Sequence, residues 1–417
     1  MTNQNDNDIV LCSPLRTPVG RYGGIFRDIP VEDLATTVVD AIVERTGVTA
    51  QDVDDIILGQ ASPNGAAPAL GRIVALNSAL GKEVPGMQLD RRCGSGLQAV
   101  MTAAAHVAVG AADLIIAGGA ESMSRTEYTV DGAIRWGVKG GDMQLRDRLA
   151  EARETAGGKK HPIPGGMIET AENVRREYKL TREAQDQLAA ASHERALKAQ
   201  AENWFEEEIV PVTVPAKKRG QEPTVVTTDE GPREGSTPEK LAQLRSIRGK
   251  IDEEATVTAG NASSQNDGAA AMIVTTRKKA AELGLTPMLS LKGWAVAGVA
   301  PETMGVGPVP ATKKALERTG VSLDDLDAIE LNEAFAAQAL AVLQEWDLAW
   351  DDSRLNTWGS GISLGHPVGA TGARMLVTLA HRLKREGGQL GLATMCIGGG
   401  QGMAAVVEKE RSEEHTS

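Results

Sequence analysis

A segment of helix, turn and strand occurs twice in the chain, and that repetition limits the architecture more than any other feature. Glu44-Arg45-Thr46-Gly47-Val48 returns as Glu317-Arg318-Thr319-Gly320-Val321, 273 residues later. The match continues without a gap: Asp52 with Asp325, Asp54 with Asp327, Ile56 with Ile329, Leu58 with Leu331, Ala61 with Ala334. Ten identities over the 18 positions 44–61 indicate an internal duplication. Before the first copy, Val31, Leu34, Ala35, Val38, Val39 and Ile42 recur at helical intervals until Gly47 stops the run. Short apolar strands at 9–13, 53–58, 113–117, 269–275 and 392–396 alternate with such helices. Alternation of this kind predicts an α/β protein with a mixed sheet and helices on its faces.

The same offset links two chemically active residues. Cys93 stands in Arg92-Cys93-Gly94-Ser95-Gly96-Leu97-Gln98-Ala99, where glycines allow a tight turn into a small, apolar helix at 97–109. A thiol at a helix N-terminus sees the positive end of the dipole, which favours thiolate. Taken alone, a small buried hydrophobe is the plainer reading. Moving 273 residues on from Cys93 reaches His366, in Gly365-His366-Pro367-Val368-Gly369-Ala370-Thr371-Gly372. If the halves pack about a pseudo-two-fold axis, thiol and imidazole lie at the same end of the sheets. An imidazole there can take the thiol proton.

Two further stretches carry candidates. Cys396 ends an apolar strand and precedes Gly398-Gly399-Gly400, whose bare N–H groups allow close approach to a ligand; a core cysteine is the alternative. Asn332 and Glu333 in Leu331-Asn332-Glu333-Ala334-Phe335 follow a strand and open an Ala-rich helix, where a simple N-cap is the plainer reading.

Composition removes several classes. At 417 residues the chain exceeds one simple core. A net charge of −12 gives no support to nucleic-acid or polybasic membrane binding. Cys12, Cys93 and Cys396 are too few for a disulfide framework, which suits a reducing, cytoplasmic setting. No apolar run reaches the ~20 residues of a membrane helix, the N-terminus has no secretory pattern, and the C-terminus is not Ser-Lys-Leu. The polar tail 411–417 is expected to be disordered and is similar to translated adapter sequence. Residues 124–263 are richer in charge, Gly and Pro, and read as an inserted loop domain. It lies between an N-terminal half (1–123 with 264–285) and a C-terminal half (286–410).

Together, Cys-Gly-Ser-Gly at 93–96, Asn-Glu-Ala-Phe at 332–335, Gly-His-Pro-Val-Gly at 365–369 and Cys-Ile-Gly-Gly-Gly at 396–400 resemble the thiolase family, over about 9–407. The resemblance implies a thiolase fold: two duplicated βαβαβαββ-type halves in α-β-α-β-α layers. It implies an acyl-CoA C-acyltransferase that condenses acetyl-CoA with acyl-CoA, or thiolyses 3-oxoacyl-CoA, through an acyl-cysteine. Cys93 would be the nucleophile, His366 its base and Cys396 the second acid/base. His366 and a water on Asn332 would form one oxyanion hole, and the N–H groups of Cys93 and Gly398 the other. Ser263 would meet the pantetheine arm, with Met123 and Phe335 lining the acyl pocket. Among basic residues, Arg245, Arg248, Lys250 and Lys217-Lys218-Arg219 are candidates for the 3′-phospho-ADP, or else an exposed charged face. No metal or permanently bound cofactor is implied; coenzyme A is a substrate, and the assembly would be a homodimer or homotetramer.

The chain departs from that pattern at Gly166-Met167-Ile168, where short-chain members carry His-Met-Gly, and at Trp358, where asparagine is usual. Ser246 also stands in place of a common proline. An indole at 358 is expected to reshape the surroundings of the His366 loop. Three competing readings remain at this stage. Gly94-Ser95-Gly96-Leu97-Gln98-Ala99 fits a dinucleotide fingerprint, but needs a strong strand before it, and 84–90 is a poor one. A non-catalytic CoA- or lipid-binding relative would have lost a reactive residue. A ketoacyl-synthase-like enzyme would carry Cys-His-His.

Overall fold

The computed structural model describes residues 5–218 and 220–410. Both copies of the repeat adopt one structure. Helix α1 (Val31–Thr46) stops at Gly47 with φ 72°, and its counterpart Pro308–Thr319 stops at Gly320 with φ 68°. In each case the left-handed residue turns the chain away from the helix, which glycine does at no steric cost. Each copy then enters a strand that pairs in parallel with a neighbour.

The main sheet uses β1 (Ile9–Arg16), β2 (Asp55–Gly59), β3 (Gly86–Leu89), β4 (Leu114–Ser122), β5 (Asn266–Thr276), β6 (Pro287–Gly298), β7 (Ala328–Leu331), β8 (Leu390–Ile397) and β9 (Gln401–Lys409). Their spatial order is β7-β8-β9-β6-β1-β5-β4-β2-β3, with the two-residue strand Gly20–Arg21 on β5. The halves meet where β1 and β6 pair antiparallel, Val10 opposite Ser290 and Leu11 opposite Leu289.

Alternation along the strands separates the layers. Ile56 and Leu58 face α1 and the outer helix α2 (Leu70–Asn77), whereas Ile57 faces α3 (Ser95–Ala108). The central layer holds α3 with the later helix Thr371–Glu386, between the inner faces of both half-sheets. Beyond the second half-sheet, the outer face carries Ala311 and Ala315 of Pro308–Thr319 and the buried run of Ala336–Glu345. The result is the α-β-α-β-α layering expected of the thiolase fold.

Residues 124–263 contribute α4 (Arg148–Glu154), α5 (Gly166–Tyr178) and α6 (Arg182–Ala201), followed in the C-terminal half by α7 (Pro308–Thr319), α8 (Ala336–Glu345) and α9 (Thr371–Glu386). A buried ion cluster ties this segment to the first half: Arg16 Nε lies 2.6 Å from Glu208, and its Nη1 lies 2.7 Å from Asp229.

Three local expectations are corrected. β3 is a formed strand, paired in parallel with β2, because partners from Ile56 to Gly59 complete its ladder despite its weak propensity. β4 continues through Gly118 and Gly119 to Ser122. Those glycines mark close approach and not a strand end, since a Cβ would lie 2.0 Å from Ala270 O or Gly369 O respectively. Asn332 and Glu333 do not cap a helix: α8 begins at Ala336, and Phe335 is extended at φ −145°, ψ 145°.

Candidate active site

Strand β3 delivers the chain to a turn at 90–95 that holds Cys93. Asp90 Oδ1 accepts the Arg92 N–H at 2.6 Å, and Ser95 Oγ accepts the Arg91 N–H at 2.9 Å while donating to Arg92 O at 2.7 Å. The left-handed residue of this turn is Arg92, at φ 50°, and not one of the glycines. Gly94 and Gly96 serve proximity instead. A Cβ on Gly94 would strike Ile397 Cδ1 at 2.4 Å, and one on Gly96 would lie 2.8 Å from Gly369 O. The fingerprint glycines therefore face the cysteine strand and the histidine loop of the other half, leaving no room for a dinucleotide.

Cys93 is half-buried. Burial pushes its thiol up, and the Gly398 N–H and the Arg92 charge pull it back only in part. The helix terminus thus does not by itself make a thiolate, contrary to the expectation from sequence. His366 is buried beyond the N-terminus of α9. Its backbone N–H donates to Asn266 Oδ1 at 2.8 Å, and its Nδ1 lies 2.7 Å from Thr371 Oγ1. That hydroxyl donates to Pro367 O at 3.0 Å, so its lone pair accepts Nδ1–H. Nε2 is left with a free lone pair and has no partner among the described residues. Burial, then the Arg374 charge, pushes His366 down to about 3, so the ring is neutral near pH 7. With the thiol pushed up and the imidazole pushed down, both groups are held toward their neutral forms.

Cys396 is the next-to-last residue of β8 and is buried, with its thiol pushed up by burial and by Cys93. The Gly398 N–H reaches the Cys93 sulfur from the same hairpin, which Gly399 (φ 90°) and Gly400 (φ 80°) turn tightly. Asn332 is anchored to that strand through its N–H to Thr394 O at 3.0 Å. Its side-chain amide is fully buried, and neither its oxygen nor its nitrogen has a partner among the described residues. Such an amide is a seat for a small polar molecule. Both orphaned groups, His366 Nε2 and the Asn332 amide, fit oxyanion stabilisation.

Phe335 packs with Cys396, Met167 and Met304. Ser263 is bonded through its N–H to Ala334 O at 2.9 Å, beside the Asn332 stretch. Met123 is buried, its sulfur accepting the Asn266 N–H at 3.3 Å. Arg245 is exposed; Arg248, half-buried and paired with Glu169 at 2.8 Å, is the basic residue held against α5. Lys217 meets Asp28 at 3.4 Å, and Arg219 lies outside the described residues, as does the tail 411–417. Trp358 packs with Trp204, Phe205 and Leu364 and donates to Glu386 at 2.8 Å, in a cluster separate from that of Cys396. It supports the His366 loop from behind without entering the site.

The sequence matches the family models Thiolase, N-terminal domain, over residues 9–278, and Thiolase, C-terminal domain, over 285–409. The chain belongs to the thiolase family. An acetyl-CoA acetyltransferase of Cupriavidus necator is 44% identical over 404 residues, covering 97% of this chain and 100% of the relative. A beta-ketoadipyl-CoA thiolase of Pseudomonas knackmussii is 44% identical, over 96% and 99%. Crystal structures of the Bacillus anthracis acetyl-CoA acetyltransferase and of human mitochondrial 3-ketoacyl-CoA thiolase superpose with TM-scores of 0.91 and 0.90. They are 41% and 35% identical, and each match covers 97% of this chain and 99% of the other. This thiolase is an acyltransferase, and neither a dinucleotide-dependent role nor a non-catalytic one finds support.

Two carboxylates of this thiolase's site have roles that the sequence reading did not give them. Glu121, fully buried on β4, accepts N–H groups of Ala61 at 2.9 Å, Ser62 at 3.1 Å and Gly369 at 3.0 Å, fastening the His366 loop to the end of the first half-sheet. Glu333 accepts from Ser192 Oγ at 2.6 Å and Asn356 Nδ2 at 2.9 Å, holding the Asn332 turn. A carboxylate inside an otherwise apolar strand was the available signal for Glu121. Nothing local pointed to Thr371 or Asn266, whose roles exist only across the fold.

Proposed function

We propose that this thiolase runs a two-step, ping-pong acyl transfer through Cys93. The Cys93 sulfur attacks an acyl-CoA thioester carbonyl as His366 Nε2 takes the thiol proton; the C–S bond to coenzyme A breaks, and Cys396 gives its own proton to the departing CoA sulfur, becoming a thiolate. The Cys396 thiolate then removes the α-proton of acetyl-CoA, the resulting enolate carbon attacks the acyl-cysteine carbonyl, the C–S bond to Cys93 breaks, and the proton held by His366 returns to the Cys93 sulfur. In thiolysis the steps reverse. Thioester exchange keeps the acyl group at nearly constant energy, which suits a reversible reaction. Asn332 with a bound water, and His366, serve one oxyanion; the N–H groups of Cys93 and Gly398 serve the other. The observation that carries this reading is the unpartnered, buried His366 Nε2 and Asn332 amide in a site where Gly398 N–H reaches the Cys93 sulfur.

In the same reading, residues 124–263 form an inserted domain that carries coenzyme A, with Ser263 on the pantetheine arm. Met123 and Phe335 line the acyl pocket, and Arg245 meets the nucleotide end. The enzyme is a cytoplasmic homodimer or homotetramer without a permanent cofactor. Support for assembly is the exposed apolar stretch with Tyr128, Trp136, Met143 and Leu145, Trp136 being 88% exposed. Among the described residues no helix is long and apolar enough to cross a membrane.

The test is to incubate the protein with acetyl-CoA and map the adduct by peptide mass spectrometry. An acetyl group on Cys93 is expected; labelling elsewhere, or none on native protein, overturns the assignment. Cys396→Ser is expected to acylate at Cys93 yet lose condensation, and full condensation by that variant removes Cys396 from the mechanism.

A further inference from the structure

Helix α4 and the turn after it lie against two of the candidate catalytic stretches, the cysteine turn and the glycine hairpin. The Arg92 guanidinium, next to Cys93, donates to Ala152 O. Ala156 O lies 3.0 Å from where a Cβ on Gly399 would stand, next to Gly398. Between these two anchors Arg153 turns inward. Its guanidinium donates to the Gln265 side-chain oxygen, Nη1 at 3.0 Å with that amide oriented for the network. Gln265 precedes Asn266, whose Oδ1 holds the His366 N–H. Arg153 is thereby triangulated against the cysteine turn, the glycine hairpin and the support of the histidine.

The charge of Arg153 is not spent inside the protein. Arg92 and Arg148 donate to the backbone carbonyls of Ala152 and Pro63, and Arg248 is paired with Glu169. Arg153 is half-buried and has no ion pair among the described residues; one neutral amide oxygen is its acceptor. Asp147 is in electrostatic range, but its carboxylate caps α4 by accepting the Leu149 N–H at 2.9 Å. Partial burial disfavours an unpaired guanidinium, and such a group gains most from a bidentate carboxylate. Gln265 adjoins Asn266, whose N–H meets the sulfur of Met123, so Arg153 stands beside the residue assigned to the acyl pocket. Room is left on this side by Gly166: a Cβ there would be 3.1 Å from Arg153 Cβ, so a larger residue would crowd the stem.

We propose that Arg153 sets acyl specificity by receiving a carboxylate at the far end of the acyl chain, so that the preferred substrates are 3-oxoacyl-CoAs of dicarboxylic acids. This rests on the acyl-transfer reading above. The test is thiolysis of 3-oxoadipyl-CoA and of its neutral, equal-length counterpart 3-oxohexanoyl-CoA, with acetoacetyl-CoA alongside. Wild type is expected to favour the carboxylate chain by at least about tenfold in kcat/KM, a modest return for a charge-assisted pair. Arg153→Met is expected to erase that ratio chiefly through KM, and Arg153→Lys to restore part of it. A wild type that cleaves acetoacetyl-CoA but does not favour the carboxylate chain overturns the proposal and leaves the acyl-transfer reading intact. Equal losses on both six-carbon substrates in Arg153→Met, or a rise confined to the KM of free coenzyme A, also overturn it; the latter would place Arg153 on a phosphate. Absence of thiolysis with all three substrates defeats the acyl-transfer reading and this proposal with it.

Discussion

Cys93 and His366 show how burial can withhold charge until it is needed. The thiol is held up and the imidazole down, so both are neutral in the free enzyme. We expect the His366 ring-proton NMR shifts to stay flat from pH 5 to pH 8; an inflection near the ordinary histidine value of about 6.5 contradicts this. Glu121 titrates in the opposite sense. Burial raises its carboxyl to about 7, although three N–H groups oppose the shift. A raised acid binds its proton more tightly when folded, so this contribution to stability is full below about 4.5 and is lost as pH rises through about 7. The span corresponds to at most about 3 kcal/mol. Urea unfolding of wild type and Glu121→Gln should diverge across that window; parallel curves would remove Glu121 as the source. That the Cys93 turn meets the His366 loop was legible from the duplicated unit, and the close approach of Gly96 to Gly369 shows the contact. Thr371, Asn266 and Glu121 were not, because each acts through a hydrogen bond to a residue distant in sequence or indistinct from its neighbours.

At the level of elements, backbone proximity replaces side-chain packing where α3 meets α9. A Cβ on Gly372 would lie 2.6 Å from both Leu97 N and Leu97 Cβ, in a contact with no flexible atom to yield. Gly372→Ala is therefore expected to cost about 1–3 kcal/mol in denaturant unfolding. The same shift separates the Cys93 and His366 turns, so Cys93 acylation by acetyl-CoA should slow as well. Unchanged stability together with unchanged acylation would refute the close contact. Helix positions were readable from periodicity and glycine stops, and the layer order came from the family resemblance. β3 and the full length of β4 were not, because ladder partners and the glycine–backbone contacts at 118 and 119 decide them.

In the whole molecule, the ion cluster of Arg16 with Glu208 and Asp229 joins the first half to residues that precede the return strand β5. Arg16→Met leaves two buried carboxylates uncompensated and should lower stability by about 3–5 kcal/mol, read as a fall in the urea midpoint. A midpoint unchanged from wild type would mean the cluster is replaceable. The inner face of the first half-sheet, with α3 upon it, has its cover supplied by α9, near the end of the chain. During synthesis, every strand of the first half has left the ribosome once Thr276 emerges, yet that apolar layer stays bare until Thr371–Glu386 follows. The duplicated architecture thus builds in a waiting period, in which a growing chain holds an assembled but one-sided sheet and is most in need of a chaperone.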